Sequence, residues 1–257
     1  MHGFRVVASW PHDASAFTQG LVMANGVLYE STGLYGRSTL RRVDLETGQV
    51  LQRRALPARL FGEGLTVWQG ELVQLTWRAG RALRYDRQTF APLGELAVPG
   101  EGWGLTQDGE SWIVSDGSAT LRFLEPGTGV ERRRVLVQDD GRPVRLLNEL
   151  EMVPVRAVGG PAASGAGVGA AATRHELWAN IWHSDRLVRV DPGSGRALGY
   201  VDLAGLWPDQ QRPEPEAVLN GIAYDARHGR LLVTGKLWPR IYWIAVPGLV
   251  PGPAGFR

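Results

Sequence analysis

A short turn motif recurs along this chain, and its recurrence constrains the fold more than any other feature of the sequence. The motif Arg-x-Asp-x-x-Thr/Ser-Gly occurs at residues 42–48 and 189–195, in a degraded form at residues 84–89, and in a variant with glutamate at residues 123–129. The acidic side chain can accept hydrogen bonds from the turn backbone, and glycine adopts the positive φ that such turns need. The motif therefore predicts four strands that each end in the same type of tight turn.

A second repeat sets the number of units. Each unit begins with an apolar inner strand, which is followed by a strand rich in Trp and Tyr and then by a third strand. The five inner strands begin at Gly20-Leu21, Gly64-Leu65, Gly104-Leu105, Glu149-Leu150 and Gly221-Ile222. The first three spacings lie between 40 and 45 residues, and periods of this length with about four strands each are typical of β-propeller blades. No segment shows sustained helical periodicity, so the sequence predicts an all-β, five-bladed β-propeller.

The two ends of the chain predict how the ring closes. The last unit ends at Ile241-Tyr242-Trp243-Ile244-Ala245-Val246 without an outer strand, whereas residues 4–10 have the composition of a strand but no neighbouring partner. We therefore expect the N-terminal strand to pair into the last blade, which would remove an exposed sheet edge.

A run of mostly Gly, Ala, Val, Ser and Pro at about residues 157–173 lengthens the fourth spacing. Such a run could be an interdomain linker. We instead expect a loop insertion inside the fourth blade, because the strands before and after it complete one repeat only when joined, and loop length costs little free energy. Residues 1–257 are accordingly predicted to form a single propeller domain.

Composition excludes several classes of function. Lys plus Arg number 28 and Asp plus Glu 26, so the net charge of +2 does not favour a nucleic-acid partner. The absence of cysteine excludes disulfides, thiolate catalysis and Cys-ligated metals. No apolar run is long enough to span a bilayer, and the first ten residues lack the pattern of a signal peptide. We expect no membrane insertion.

Residues just before each inner strand of a propeller face one mouth of the central channel. Here those segments are Phe17-Thr18-Gln19, Phe61-Gly62-Glu63, Gly102-Trp103, Leu147-Asn148-Glu149 and Leu219-Asn220, and the ends of the second strands add Trp77, Asp116, Trp182 and Lys236. A few polar groups among large aromatic rings are the usual composition of a small-ligand pocket. Glu63 is the first candidate for the chemistry, because its flanking glycines let a ligand approach closely.

Several segments at these positions match a known family. They are Phe17-Thr18-Gln19-Gly20-Leu21, Glu30-Ser31-Thr32-Gly33, Phe61-Gly62-Glu63-Gly64, Leu75-Thr76-Trp77, Gly102-Trp103-Gly104-Leu105, Ser115-Asp116-Gly117-Ser118, Asn148-Glu149-Leu150-Glu151, Ala179-Asn180-Ile181-Trp182, Leu219-Asn220-Gly221-Ile222-Ala223-Tyr224-Asp225 and Thr234-Gly235-Lys236-Leu237-Trp238. From about residue 4 to 246 the chain resembles the plant and bacterial type of glutaminyl-peptide cyclotransferase. The resemblance implies a five-bladed propeller that cyclises N-terminal glutamine to pyroglutamate and releases ammonia, with no cofactor and no catalytic metal. The insertion at 157–173 is the one clear departure.

The resemblance also implies roles for individual residues. Glu63 would move the proton, and Lys236, Asn148 or an indole N–H would stabilise the oxyanion. Trp77, Trp103 and Trp182 would wall the pocket, Phe17 and Phe61 would add apolar surface, and Gln19 would bond the peptide backbone. The chemistry agrees, because one carboxylate can take a proton from the attacking amine and return it to the leaving nitrogen. Taken without the resemblance, Glu63 could equally be a turn residue, and Lys236 a solvated surface lysine.

Two other functions stay open at this point. A metal-dependent propeller lactonase or hydrolase could use Glu63, Asn148 and Asn220 to bind a divalent cation such as Ca²⁺, although the cation of Lys236 would repel a metal. A non-catalytic binding propeller is the second alternative. The expected partners are peptides or proteins with N-terminal glutamine, bound by a monomer, and the resemblance implies a periplasmic or secreted location.

Overall fold

The computed structural model describes residues 3–156 and 173–249. The chain begins with β1 (Arg5–Pro11). Blade 1 follows with β2 (Thr18–Ala24), β3 (Val27–Thr32), β4 (Thr39–Val43) and β5 (Val50–Ala55). Blade 2 contains β6 (Gly62–Trp68), β7 (Glu71–Thr76), β8 (Arg81–Asp86) and β9 (Pro92–Ala97). Blade 3 contains β10 (Leu105–Gln107), β11 (Trp112–Val114), β12 (Thr120–Leu124) and β13 (Glu131–Leu136).

A small hairpin of β14 (Gln138–Asp139) and β15 (Arg142–Pro143) precedes the fourth blade. Blade 4 contains β16 (Leu147–Arg156), β17 (Thr173–Ile181), β18 (Arg186–Val190) and β19 (Ala197–Asp202). A 3₁₀ turn (Asp209–Gln211) leads to blade 5 with β20 (Leu219–Asp225), β21 (Arg230–Gly235) and β22 (Arg240–Ala245). No helix in residues 3–156 or 173–249 is long and apolar enough to cross a membrane.

The strands form five four-stranded antiparallel sheets within the described part of the chain. The inner strands β2, β6, β10, β16 and β20 each contact the inner strands of the two neighbouring blades, and β20 contacts β2. These contacts close a ring and confirm the predicted all-β, five-bladed β-propeller.

The N-terminal strand closes this ring. Blade 5 has the strand order β1-β22-β21-β20, and β1 pairs antiparallel with β22 from Arg5 opposite Ala245 to Pro11 opposite Arg240. The rings of Trp10 and Trp243 stack at 5.4 Å between centroids. The predicted closure is confirmed, with the strand one residue further along the chain than expected.

The repeated turn motif joins the third and fourth strands of four blades. In blade 1, Asp44 Oδ1 accepts hydrogen bonds from Thr47 N at 2.8 Å and from Thr47 Oγ1 at 2.7 Å, and Gly48 has a φ of 71°. The degraded copy in blade 2 keeps the bonds to its aspartate but places Phe90 at a φ of 60°. The motif is therefore a structural turn, as predicted.

The apolar core lies between the blades. Five clusters of buried side chains each combine residues of two neighbouring blades, as when Leu40 of blade 1 packs with Leu65 and Leu72 of blade 2. Each buried leucine contributes about 1.5–3 kcal/mol. The ring is thus held by five similar interfaces rather than by one central core.

The predicted insertion falls inside blade 4. Strands β16 and β17 pair up to Arg156 opposite Thr173, so the segments on either side belong to one hairpin, as expected. Residues 157–172 themselves lie outside the described residues, and the assignment of residues 1–257 to a single domain stays a prediction.

The inner strands of neighbouring blades approach each other closely at the centre of the ring, so glycine is required where these strands begin. A Cβ atom on Gly20 would lie 2.5 Å from Leu65 N of the next blade, and one on Gly104 would overlap the carbonyl oxygen of Asn148. Blade 4 differs, because Glu149 stands at the corresponding position.

The side chain of Glu149 crosses the centre of the ring. Its two carboxyl oxygens accept hydrogen bonds from Leu21 N of blade 1 at 3.2 Å and from Ile222 N of blade 5 at 2.8 Å. Glu149 is fully buried, and this burial together with the nearby Glu151 raises its pKa well above the usual value. Ionisation of Glu149 is therefore less favourable in the folded protein than in water.

We expect Glu151 to make the stability of the folded protein depend on pH. Removal from water raises the pKa of Glu151 to about 8, so its ionisation disfavours the folded state. Stability from this group is present at low pH and is lost as pH rises from about 4.5 through 8. Glu151→Gln, which resembles the neutral carboxyl group, will show a flatter melting temperature between pH 5 and 8 than the wild type. Melting followed by circular dichroism tests this, with the exposed Glu110→Gln as control. Equal pH slopes for wild type and Glu151→Gln would contradict it.

Candidate active site

Glu63 lies at the start of β6, with its side chain buried at the mouth of the ring. Gln19 Nε2 donates a hydrogen bond to Glu63 Oε1 at 3.3 Å. Asn220 Nδ2 donates to Gln19 Oε1 at 3.1 Å and so fixes which end of the Gln19 amide faces Glu63. Within the described residues, Glu63 Oε2 makes no hydrogen bond. One oxygen is held by the protein, and the other is free for a ligand.

Two buried groups of opposite charge set the electrostatics of the site. Burial raises the pKa of Glu63 well above its usual value, the charge of Lys236 opposes this rise, and Glu101 adds to it. Burial lowers the pKa of Lys236, against the influence of Glu63 and Glu216. Lys236 is only 4% exposed, so the alternative of a solvated surface lysine is wrong.

Aromatic rings form two walls around these groups. Phe61 contacts Phe17, Tyr35 and Trp77 with centroid distances of 6.3, 5.4 and 5.4 Å. Trp103 and Trp182 meet edge to face at 5.4 Å. The ammonium of Lys236 lies 4.9 Å from the ring of Phe17 and 5.8 Å from that of Trp182, so it bridges the two walls through cation–π contacts.

Glu101 is a site residue that the sequence analysis missed. Its Oε2 accepts hydrogen bonds from Trp77 Nε1 at 2.8 Å and from Trp103 Nε1 at 3.1 Å, and its Oε1 accepts one from Arg78 Nε at 3.1 Å. Desolvation would raise the pKa of Glu101, but the bonds from Trp103, Trp77 and Arg78 lower it below its usual value. Glu101 therefore locks two indoles in place as a carboxylate.

A signal for Glu101 was present in the sequence. Glu101 stands between Gly100 and Gly102, just as Glu63 stands between Gly62 and Gly64. Of the three tryptophans considered as oxyanion donors, Trp77 and Trp103 already donate their indole N–H groups to Glu101. The Nε1 atom of Trp182 is buried without a partner among the described residues.

Asn148 presents an unpaired amide at the same mouth. Its side chain is nearly fully buried, and its Oδ1 has no hydrogen-bond partner in the described part of the chain. The Asn148 carbonyl oxygen accepts a bond from Ser115 Oγ at 2.6 Å, which fixes the backbone beside Gly104. A buried amide without partners costs about 1–3 kcal/mol, and a ligand that bonds it would recover that cost.

The structure brings the nine predicted site residues to one mouth of the ring. Direct contacts or electrostatic coupling link eight of them into one connected set: Phe17, Gln19, Phe61, Glu63, Trp77, Trp103, Trp182 and Lys236. Asn148 adjoins this set through the backbone next to Trp103. Within residues 3–156 and 173–249, no three or more His, Asp or Glu side chains form a group that could hold a metal ion.

Known proteins resemble this chain in sequence and in fold. Residues 1–246 match the family model described as glutamine cyclotransferase. The chain is 40% identical over 245 residues to a glutaminyl-peptide cyclotransferase of Arabidopsis thaliana, which covers 93% of this chain and 70% of the relative. It also superimposes on the crystal structure of a glutaminyl cyclase from Myxococcus xanthus with a TM-score of 0.82 and 35% identity, over 97% of this chain and 98% of the other.

Proposed function

The chain belongs to the glutamine cyclotransferase family and has glutaminyl-peptide cyclotransferase activity, and we propose that Glu63 moves the proton that this reaction transfers. Its substrates are peptides or proteins that begin with glutamine, and it converts that residue to pyroglutamate with release of ammonia. The observation that carries the role of Glu63 is the difference between its two carboxyl oxygens. Oε1 accepts a hydrogen bond from Gln19, whereas Oε2 accepts none from the described residues.

The reaction needs one proton to be taken up and returned. The α-amine attacks the carbon of the γ-carboxamide, and a carbon–nitrogen bond forms as the carbonyl becomes an oxyanion. Glu63 Oε2 accepts the proton that the amine loses and gives it to the leaving nitrogen, which departs as ammonia. Burial raises the pKa of Glu63 toward the range in which a carboxyl group exchanges protons readily near neutral pH.

The oxyanion is stabilised by Lys236, Asn148 and Trp182. The Lys236 ammonium is buried and held over two rings, so its charge acts in surroundings that contain little water. The amide of Asn148 and the indole N–H of Trp182 supply donors that no described protein group uses. Trp77 and Trp103 take no part as donors, because both bond Glu101.

The aromatic walls fold the glutamine side chain back toward its own amine. Phe17, Phe61 and Trp77 bound one side and Trp103 and Trp182 the other, so the aliphatic part of the substrate is enclosed. Holding amine and amide in a near-attack geometry is worth roughly 7 kcal/mol of barrier or more in well-oriented systems. Gln19 Nε2 has a second N–H beyond the one given to Glu63, and we assign it to the peptide backbone of the substrate.

We also propose that the catalytic step needs no metal ion. Lys236 occupies the place where a cation would otherwise neutralise charge. Full release of ammonia from a Gln-initiated dipeptide in excess chelator is the expected result. Activity that is lost with chelator and restored by a divalent cation would favour the metal-dependent alternative. A wild type that releases no ammonia would contradict the enzymatic function itself. The monomeric state and the exported location stay predictions.

The pH profile of Lys236 variants tests the pairing with Glu63. Lys236→Met will lower kcat/KM by about 10²–10³-fold, because an oxyanion donor is lost. The charge of Lys236 lowers the pKa of Glu63, so removing it raises that pKa and moves the acid limb of the kcat/KM profile to higher pH. Lys236→Arg keeps the charge and serves as the control, with an acid limb near that of the wild type. An unshifted limb in Lys236→Met would show that the two groups do not interact.

A further inference from the structure

Two chain segments that meet beside the mouth carry several of the site residues. Residues 12–19 lead from β1 into β2 and carry Phe17 and Gln19, and residues 235–239 join β21 to β22 and carry Lys236. Backbone hydrogen bonds join them, from His12 N to Pro239 O at 2.9 Å and from Leu237 N to Ala16 O at 2.7 Å. Leu237 has a φ of 61°, a strained value for a non-glycine residue that needs support from its surroundings.

The ring of His12 bonds acceptors through both of its nitrogens. Nδ1 lies 2.7 Å from Trp238 O, and Nε2 lies 2.9 Å from Glu30 Oε1. The Trp238 carbonyl oxygen has no proton to give, so Nδ1 is a donor, and Nε2 is a donor as well when Glu30 is a carboxylate. A ring with two N–H groups is an imidazolium. The side chains of His12 and Glu30 are both 1% exposed, so this charged pair is shielded from water.

Neighbouring charges favour the ionised form of Glu30. Arg41 Nη1 lies 3.6 Å from Glu30 Oε2 and donates to Asp13 Oδ2 at 2.8 Å, so the group contains two cations and two anions. Thr234 Oγ1 also lies near the ring, 3.4 Å from Nδ1. Burial alone would lower the pKa of His12, but Glu30 and the Trp238 carbonyl raise it above its usual value. Burial alone would raise the pKa of Glu30, and His12 lowers it.

Glu30 also connects this pair to the strand that carries Gln19. Thr18 Oγ1 donates to the same Glu30 Oε1 at 2.7 Å, and Thr18 directly precedes Gln19, which bonds Glu63. On its other side, His12 bonds the carbonyl of Trp238, two residues after Lys236. One carboxylate oxygen thus links the segment of Lys236 to the segment of Gln19.

We propose that His12 and Glu30 form a permanently charged buried pair that acts as a positioning unit, holding the cation of Lys236 and the amide of Gln19 at their working distance from Glu63. The kinetic part of this proposal rests on the proposed function, and the protonation of His12 does not. Loss of the pair lets the turn at residues 235–239 move away from β2. Because a displacement of about 1 Å at a reacting group can cost on the order of 10²-fold in rate, kcat falls more than KM changes.

Nitrogen NMR of the full-length protein with ¹⁵N-labelled histidine tests the protonation. An unperturbed imidazole is neutral at pH 8, whereas His12, identified by the signal that is lost in His12→Asn, will show the shifts of two protonated nitrogens at that pH. A single protonated nitrogen on His12 at pH 8 would overturn the proposal. This readout does not need activity, so it separates failure of the pair from failure of the cyclase reaction.

Kinetics of Glu30→Gln test the positioning. This variant will lose kcat by about 10–10²-fold, and the acid limb of its kcat/KM profile will move to higher pH, in the same direction as that of Lys236→Met. The matched control is Glu176→Gln, which breaks another buried ion pair, with Arg189 at 2.7 and 2.9 Å, in the part of blade 4 away from the mouth. It will lower the melting temperature but leave the acid limb in place. If Glu30→Gln also melts lower with an unshifted limb, the pair has only a structural role and the proposal is wrong.

Discussion

Replacing Glu63 with glutamine will lower kcat for Gln-initiated peptides by about 10²–10⁴-fold, the range that a positioned proton-transfer group supplies. Glutamine has nearly the size of glutamate and can still accept the bond from Gln19 through its side-chain oxygen. It cannot take a proton from the attacking amine. KM will change little, because the aromatic walls and Asn148 are untouched.

The assay is initial-rate release of ammonia from a Gln-initiated dipeptide, measured for wild type and variant at the same pH. The control for folding is the melting temperature, which has to show that Glu63→Gln remains folded at the assay temperature. The Glu110→Gln variant, which changes an exposed carboxyl group in the same way, will keep the wild-type rate. A folded Glu63→Gln protein with kcat within about threefold of wild type would remove Glu63 from the mechanism.

Deleting residues 4–10 will lower the melting temperature by roughly 10–20 °C. The deletion removes most of β1, leaves the edge of β22 unpaired and takes Trp10 away from Trp243. The protein loses the burial of the Trp10 side chain and a ladder of hydrogen bonds, and each of these hydrogen bonds contributes about 1 kcal/mol. Together the losses lower the free energy of unfolding by about 5 kcal/mol. In a domain of this size each kcal/mol corresponds to about 2–4 °C.

Differential scanning calorimetry measures this change. A variant in which residues 4–10 are replaced by a Gly/Ser segment of equal length separates loss of the strand from shortening of the chain, and it will melt as low as the deletion. Melting of the deleted protein within about 2 °C of the full-length protein would mean that β1 does not hold the ring closed.

Much of the fold was predictable from the sequence because it follows local patterns that repeat. The Asp44 turn and its copies mark the connection between the third and fourth strands of four blades. The starts of the inner strands give the number of blades. Pairing of β1 with β22 was predictable as well, because the last blade lacked an outer strand and the N-terminal strand had no neighbouring partner in the sequence. The exact strand ends were not, since Arg5 to Pro11 are paired where residues 4–10 were expected.

The site was less predictable where it depends on contacts between distant parts of the chain. The nine predicted residues share blade positions and family motifs, and the structure places all of them at one mouth. The position of Glu101 in the sequence did not reveal that its carboxylate accepts hydrogen bonds from the indole N–H groups of Trp77 and Trp103. The bond from His12 to the carbonyl of Trp238 joins residues 226 positions apart, and no periodicity or motif indicates such a pair.

Glu149 ties three blades together at the centre of the ring. Its buried carboxyl group spans from blade 4 to the backbones of blades 1 and 5, at the one inner-strand start where glycine is replaced. One side chain of blade 4 therefore fastens the inner strands of two other blades, including blade 1, which is not its neighbour in the ring. Replacing Glu149 would weaken contacts across the whole centre of the ring rather than at a single interface between blades.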